Sequence, residues 1–369
     1  MRAVGELAAP AGLGPKRGAS VEFRHVTARF GPPAARGHRG APPPAAVEDL
    51  SLLVPPGEIC VLVGPSGCGK TTTLKLVNRL VEPASGQILI DGEDVTRMDA
   101  VALRRRIGYV IQQIGLFPHH TVAENVAAVP RLLKWPEARI RQRVDDLLAL
   151  IGLDPDRMRH RYPSQLSGGE RQRVGVARAM AAEPPLMLMD EPFGAVDPIV
   201  RARLQDEFLR LQRALGTTVL FVTHDIDEAI KMGSRVAVMQ HGGRLAQYSP
   251  PADLLMRPAN DYVARFVGLD RILKRLSLVR VADVPLERPI HPPAGAPSCS
   301  PETTLRDALS LLLAAPEQVA IVVDSGGAPL GLITLASIAA ACRPHPRPLS
   351  TLVEHRGRQE SVHQGVRPS

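Results

Sequence analysis

The sequence predicts an α/β fold built on a largely parallel sheet, followed by a small α+β segment. Three observations lead there. Short, nearly continuous apolar runs recur at residues 58–63, 186–189 and 217–222, the pattern of strands buried on both faces. Helical patterns separate them, at residues 71–80, 137–151, 168–182 and 200–215. Each run ends in glycine or polar residues, at the strand ends where such sheets place their chemistry.

In chain order, residues 1–20 read as a flexible leader. Residues 21–30 alternate as a strand, and residues 31–46 form a Pro-, Gly- and Arg-rich insertion that no sheet continues through. Residues 47–54 resume as strand before a Pro55, Pro56, Gly57 turn. The main domain is expected over residues 21–268. A Pro-rich linker is expected over 269–301, a helix–strand–strand–helix segment over 302–342, and a disordered tail over 343–369.

The 369 residues are 44% hydrophobic, which excludes a chain disordered throughout. The net charge of +8 raises the question of a nucleic-acid or membrane surface. Its placement answers part of it. Residues 1–47 hold seven basic and two acidic side chains, and residues 270–369 hold eleven and nine. The centre is close to neutral and carries no basic face for nucleic acid. No apolar stretch reaches the ~18 residues of a membrane span, and no signal-peptide pattern opens the chain. Four cysteines without metal or disulfide spacing read as reduced thiols of a cytoplasmic protein.

Three segments carry chemistry. Residues 64–71 fit the pattern G-x-x-x-x-G-K-S/T between a strand and a helix. Gly64, Pro65, Ser66, Gly67, Cys68, Gly69, Lys70, Thr71 and the adjoining Thr72 are expected to cradle the phosphates of ATP. Their backbone N–H groups and the helix start would do this, with Lys70 on the β/γ-phosphates and Thr71 on Mg²⁺. The run at 186–189 delivers Asp190 to the sheet edge as a Mg²⁺ ligand. Glu191 follows, placed to polarise an attacking water. Leu166, Ser167, Gly168, Gly169 and Glu170 offer a hydroxyl and free amides at a helix start, a second anion site. One ATP has no use for two such sites unless another subunit supplies the second.

The ordered set of motifs resembles the ATP-binding subunit of ABC transporters, over roughly residues 20–265. That resemblance implies a P-loop NTPase: a RecA-like core with a helical subdomain at about 113–178. It implies a homodimer in which each ATP lies between one copy's phosphate loop and the other's Ser167 to Gly169. Gln112, of the Gln112 and Gln113 pair, matches the loop that senses Mg²⁺ and water. Glu191 matches the catalytic base and His224 the switch histidine. Asp197, after Gly194, Ala195 and Val196, matches the loop that pairs the two sites. Phe30 matches the aromatic that stacks on adenine. Val196 and Glu170 depart from the commoner Leu and Gln, and the insertion after Phe30 is unusual.

Finer strings, among them Gln112-Gln-Ile-Gly115 and Leu132-Leu-Lys-Trp-Pro136, are similar to importer ATPases for glycine betaine, choline, carnitine and proline. The resemblance then implies two transmembrane permease partners, a substrate-binding protein acting indirectly, and a place on the cytoplasmic face of the inner membrane. An importer for an amino acid or polyamine, or a soluble ABC ATPase, stands as the alternative. Residues 299–334 resemble one CBS repeat, with Ser337 where such repeats often carry a ribose-binding acid.

Overall fold

The chain opens on a hairpin. β1 (Val21–Arg29) and β2 (Ala45–Val54) pair antiparallel and alternate buried and exposed positions as half-buried strands do. The computed structural model describes residues 18–30, 44–112, 115–287 and 295–342. Most of the leader, residues 31–43 of the insertion, Gln113 and the tail lie outside the described residues. Two units result, one ending at Lys274 and the next starting at Arg275.

In the first unit, β3 (Ile59–Val63) leaves the hairpin for a second sheet and runs into α1 (Lys70–Val77). β4 (Ser85–Ile90) and β5 (Glu93–Asp94) then complete the first sheet, in the order β2-β1-β4-β5. After α2 (Ala100–Arg105) comes β6 (Ile107–Val110), the edge of the second sheet. A helical group follows: α3 (Val122–Leu132), α4 (Glu137–Leu150), α5 (Pro155–Met158) and α6 (Gly168–Met180). β7 (Leu186–Asp190), α7 (Pro198–Leu215), β8 (Thr218–Val222), α8 (Ile226–Met232), β9 (Arg235–Gln240) and β10 (Arg244–Ser249) finish the sheet. Its order is β10-β9-β3-β8-β7-β6, parallel except for β10. β3, β7 and β8 are buried along their whole length, which is why each reads as an unbroken apolar run. Phe23, Leu50 and Ile88 of the first sheet share a core with Leu62, Leu188 and Leu220 of the second and with Leu74 of α1. The short helices α9 (Pro251–Met256) and α10 (Asp261–Val267) close this unit.

Helix ends differ from expectation where the cap is unusual. α1 stops at Val77, short of the expected residue 80, because Arg79 adopts a left-handed φ of 49°. Leu80 N–H then returns to the Lys75 carbonyl, as a helix-ending turn does. α7 begins two residues early, at Pro198, with the Asp197 carboxylate accepting from Ile199 and Val200 N–H. α3 had no counterpart in the sequence reading, since Pro130 sits within it. Its capping box of Thr121 and Glu124 and the buried Asn125 hold it nonetheless.

The expected linker at 269–301 needs correction. α11 (Arg271–Leu276) is helical, and Leu276, Val281 and Cys299 are buried in the core of the second unit. Glu287 also exchanges two backbone hydrogen bonds with Leu332. Residues 288–294 of the expected linker lie outside the described residues. The second unit carries the sheet β11-β12-β13: β11 (Ser298–Cys299), β12 (Val319–Val323) and β13 (Pro329–Thr334). α12 (Leu305–Ala314) and α13 (Leu335–Cys342) accompany it. Leu305, Leu312, Val322, Ile333 and Ile338 make its core. Among the described residues no helix is long and apolar enough to cross a membrane.

Candidate active site at the carboxyl ends of the central strands

β3, β7 and β8 lie side by side and parallel, so Gly64, Asp190 and Glu191, and His224 emerge at one edge of the sheet. A cleft of about 540 Å³ opens there, within the size range of small-molecule sites. Ser66, Gly67, Cys68, Gly69, Lys70, Thr71 and Thr72 line one side. Gln112, Glu191 and His224 line another, and Phe30, 55% exposed, stands at the margin with Ala46.

The loop after β3 takes its shape from its glycines. Gly69 has φ +96°, and a Cβ there would come within 2.1 Å of the Ala46 carbonyl oxygen. Gly67 has φ +77°, and its missing Cβ faces open space, where a ligand oxygen has room. Lys70 Nζ donates to the Gly64 and Pro65 carbonyls at 2.8 and 2.9 Å and lies 3.7 Å from Cys68 Sγ. Gly64 and Pro65 therefore serve the site through their carbonyls rather than by lining the cleft. Burial raises the Cys68 thiol above its ordinary pKa, with the Lys70 charge opposing. Cys60, deeper in β3, is pushed by burial to about 12 and is an inert core thiol.

Asp190 ends β7 at 2% exposure, and its Oδ1 has no hydrogen-bond partner among the described residues. Burial raises its pKa, partly offset by a hydrogen bond from Thr71. A buried carboxylate oxygen left unpaired is costly unless a ligand completes it. No cluster of three His, Cys, Asp or Glu side chains that could hold a metal ion stands among the described residues. One carboxylate, one hydroxyl and room for phosphate oxygens suit a hard cation that keeps some of its waters.

Glu191 follows with a left-handed φ of 48°. Its N–H donates to the Val222 carbonyl of β8 at 2.9 Å. One carboxylate oxygen accepts from Gln112 Nε2 at 3.3 Å, and the other lies 3.0 Å from His224 Nδ1. With Nδ1 turned to that carboxylate, Nε2 is the ring nitrogen left for a ligand. The expected water sensor, base and switch histidine thus meet at one point, though 33 and 79 positions separate the partners in sequence.

Ser167, Gly168, Gly169 and Asp197 do not line this cleft. Ser167 caps α6, accepting from Glu170 N–H at 3.2 Å, while its own N–H donates to the Glu170 carboxylate at 2.7 Å. That bond holds the Glu170 carboxyl below the usual range. Asp197 caps α7. Arg201 Nη2 ties the intervening loop by donating to the Val196 carbonyl at 3.0 Å. Gln172 was missed by the sequence reading. It is buried in α6, donating to the Glu191 carbonyl and accepting from Ala195 N–H. No local motif marks it, because its partners lie a helix and a strand away.

Comparison with known proteins identifies the family. Residues 47–194 match the family model described as ABC transporter. The chain is 52% identical over 291 residues to the osmoprotectant import ATP-binding protein of Salmonella typhimurium, covering 79% of this chain and 74% of that one. It is 48% identical to the glycine betaine uptake system ATP-binding protein of Escherichia coli, covering 85% and 97%. Among solved structures, a dimeric ATP-binding cassette in a post-hydrolysis state with ADP and phosphate is similar. It has TM-score 0.55 and 32% identity, over 62% of this chain and 98% of that one. The chain belongs to the ATP-binding subunits of the ABC transporter family.

Proposed function

We propose that this chain is the ATP-hydrolysing subunit of an importer for quaternary-amine osmoprotectants such as glycine betaine, choline or carnitine. The observation that carries the enzymatic part is Glu191, held between His224 and Gln112 at the mouth of the phosphate loop. The substrate class rests on the names of the relatives, which serve osmoprotectant and glycine betaine import.

The chemistry follows from the side chains. Lys70 exchanges its carbonyl partners for β- and γ-phosphate oxygens, and the loop amides from Gly67 to Thr71 cradle the rest. Mg²⁺, which would neutralise charge on those phosphates, fits Asp190 and Thr71 with Gln112 nearby. Glu191 accepts a hydrogen bond from the attacking water and takes its proton as the water oxygen bonds to the γ-phosphorus and the bridging bond to ADP breaks. His224 holds Glu191 through Nδ1 and presents Nε2 to the γ-phosphate. Ser167 to Gly169 do not line their own cleft, which supports a pair of copies closing head to tail with each Ser167 on the other's ATP. Differential binding of ATP to the closed pair then drives partner chains in the membrane. The chain itself works at the cytoplasmic surface of that membrane as a peripheral subunit.

The test is uptake. In a host lacking this chain, accumulation of labelled glycine betaine or choline at high salt is lost. It returns with the wild-type gene and not with Lys70→Ala, whose ATP affinity falls by at least about tenfold. Restored uptake of a polyamine or an amino acid, with no effect on quaternary amines, overturns the substrate class.

A further inference from the structure

α6 starts at Ser167 and, a turn and a half in, carries a glutamine to which the hydrolytic scheme above gives no task. Gln172 is 6% exposed, and both ends of its amide are spent on the loop that follows β7. Nε2 donates to the Glu191 carbonyl at 2.7 Å, and Oε1 accepts from Ala195 N–H at 2.9 Å. A buried amide bonded to two separated backbone groups of one loop fixes that loop's shape.

The loop needs fixing. Glu191 holds φ at 48°, a region a glutamate backbone keeps only where its surroundings over-determine it. The surroundings do so from two sides. On the amino side, β8 binds the Glu191 N–H through the Val222 carbonyl at 2.9 Å. On the carboxyl side, α6 binds the Glu191 carbonyl through Gln172. The torsions between those anchors aim the carboxylate at Gln112 and His224.

We propose that Gln172 is a positioning residue for hydrolysis: it clamps the Glu191 main chain in its left-handed conformation and makes base geometry depend on the helix that starts at Ser167. α6 and the base then move as a unit, so a helix displaced at its amino end carries the base with it. The inference rests on Glu191 being the base, and the experiment separates the two.

Three variants of the full chain are compared in ATPase assays. Gln172→Met keeps the bulk and loses both bonds. Gln172→Glu keeps the acceptor for Ala195 N–H and sets an oxygen against the Glu191 carbonyl. Glu191→Gln tests the base alone. Both Gln172 variants are expected to lose at least about tenfold in kcat, as a small misplacement of a reacting group does. Their KM for MgATP and their Kd for a fluorescent nucleotide analogue stay within about twofold, because Gln172 does not line the nucleotide cleft. Their Tm falls by a few degrees, the cost of the backbone groups left unpaired, while nucleotide affinity holds. An active Glu191→Gln variant overturns the base and this inference together. An inactive Glu191→Gln variant beside Gln172 variants within about twofold of wild-type kcat overturns Gln172 alone. Parallel loss of kcat, nucleotide affinity and Tm, or failure of both Gln172 variants to fold, makes Gln172 a packing residue and also overturns it.

Discussion

Asp190 shows how one residue trades stability for a ligand. Burial raises its pKa above the ordinary 3.8, so the folded chain holds that proton more tightly than the unfolded one. The stabilisation this gives is fully present below about pH 3.8 and is lost as pH rises through the raised folded value. Once ionised, Asp190 is a buried charge with one oxygen unpaired. Asp190→Asn is expected to raise the Tm of the nucleotide-free chain by a few degrees at pH 7 and to lose that advantage at acid pH. The same variant loses the added stability that MgATP gives the wild type. Thermal unfolding across pH, with and without MgATP, reads both effects. The position of Asp190 was legible in the sequence as an acid ending an apolar run. The orphaned oxygen was not, since it depends on everything packed around it.

Elements carry the segment between Gln112 and α3. Asn125 is fully buried and holds four backbone groups: it accepts from Phe117 N–H and donates to the carbonyls of Phe117, His120 and Thr121. Arg178 of α6 donates to the Gly115 carbonyl at 2.7 Å, with its guanidinium over the Phe117 ring. Phe117 itself remains 48% exposed. Asn125→Ala leaves buried polar groups without partners and is expected to cost about 2–3 kcal/mol. A shifted urea midpoint with an unchanged slope is the measurement. ATP hydrolysis by the isolated chain survives at permissive temperature, because Asn125 touches no residue of the cleft. None of this was visible in the sequence. Pro130 disguised α3, and an asparagine inside a helix gives no sign that it binds the preceding loop.

At the scale of the whole molecule, the second unit begins well before residue 302, where the expected linker ends. Lys274 ends the first unit, and residues from Arg275 build the core of the second. Every residue lining the nucleotide cleft lies in the first unit. Removing residues 277–369 is therefore expected to leave basal ATP hydrolysis within about twofold of the full chain. Loss of its response to ionic strength in the truncated form identifies the second unit as a salt-sensing module. An unchanged response removes that role.

Taken alone, the sequence determined the phosphate loop, the acid at the end of β7, the histidine after β8 and the α/β class. Each is written in contiguous residues or in the two-faced burial of short strands, which only apolar runs satisfy. The tertiary structure decided what those residues do to one another. It set Glu191 between Gln112 and His224, gave its backbone a left-handed turn, and brought Gln172 across from α6 to hold it. It also drew Leu276, Val281 and Cys299 into a core where prolines suggested a linker. Such contacts join positions far apart in the chain. Their formation depends on strand order and packing, which local pattern does not encode.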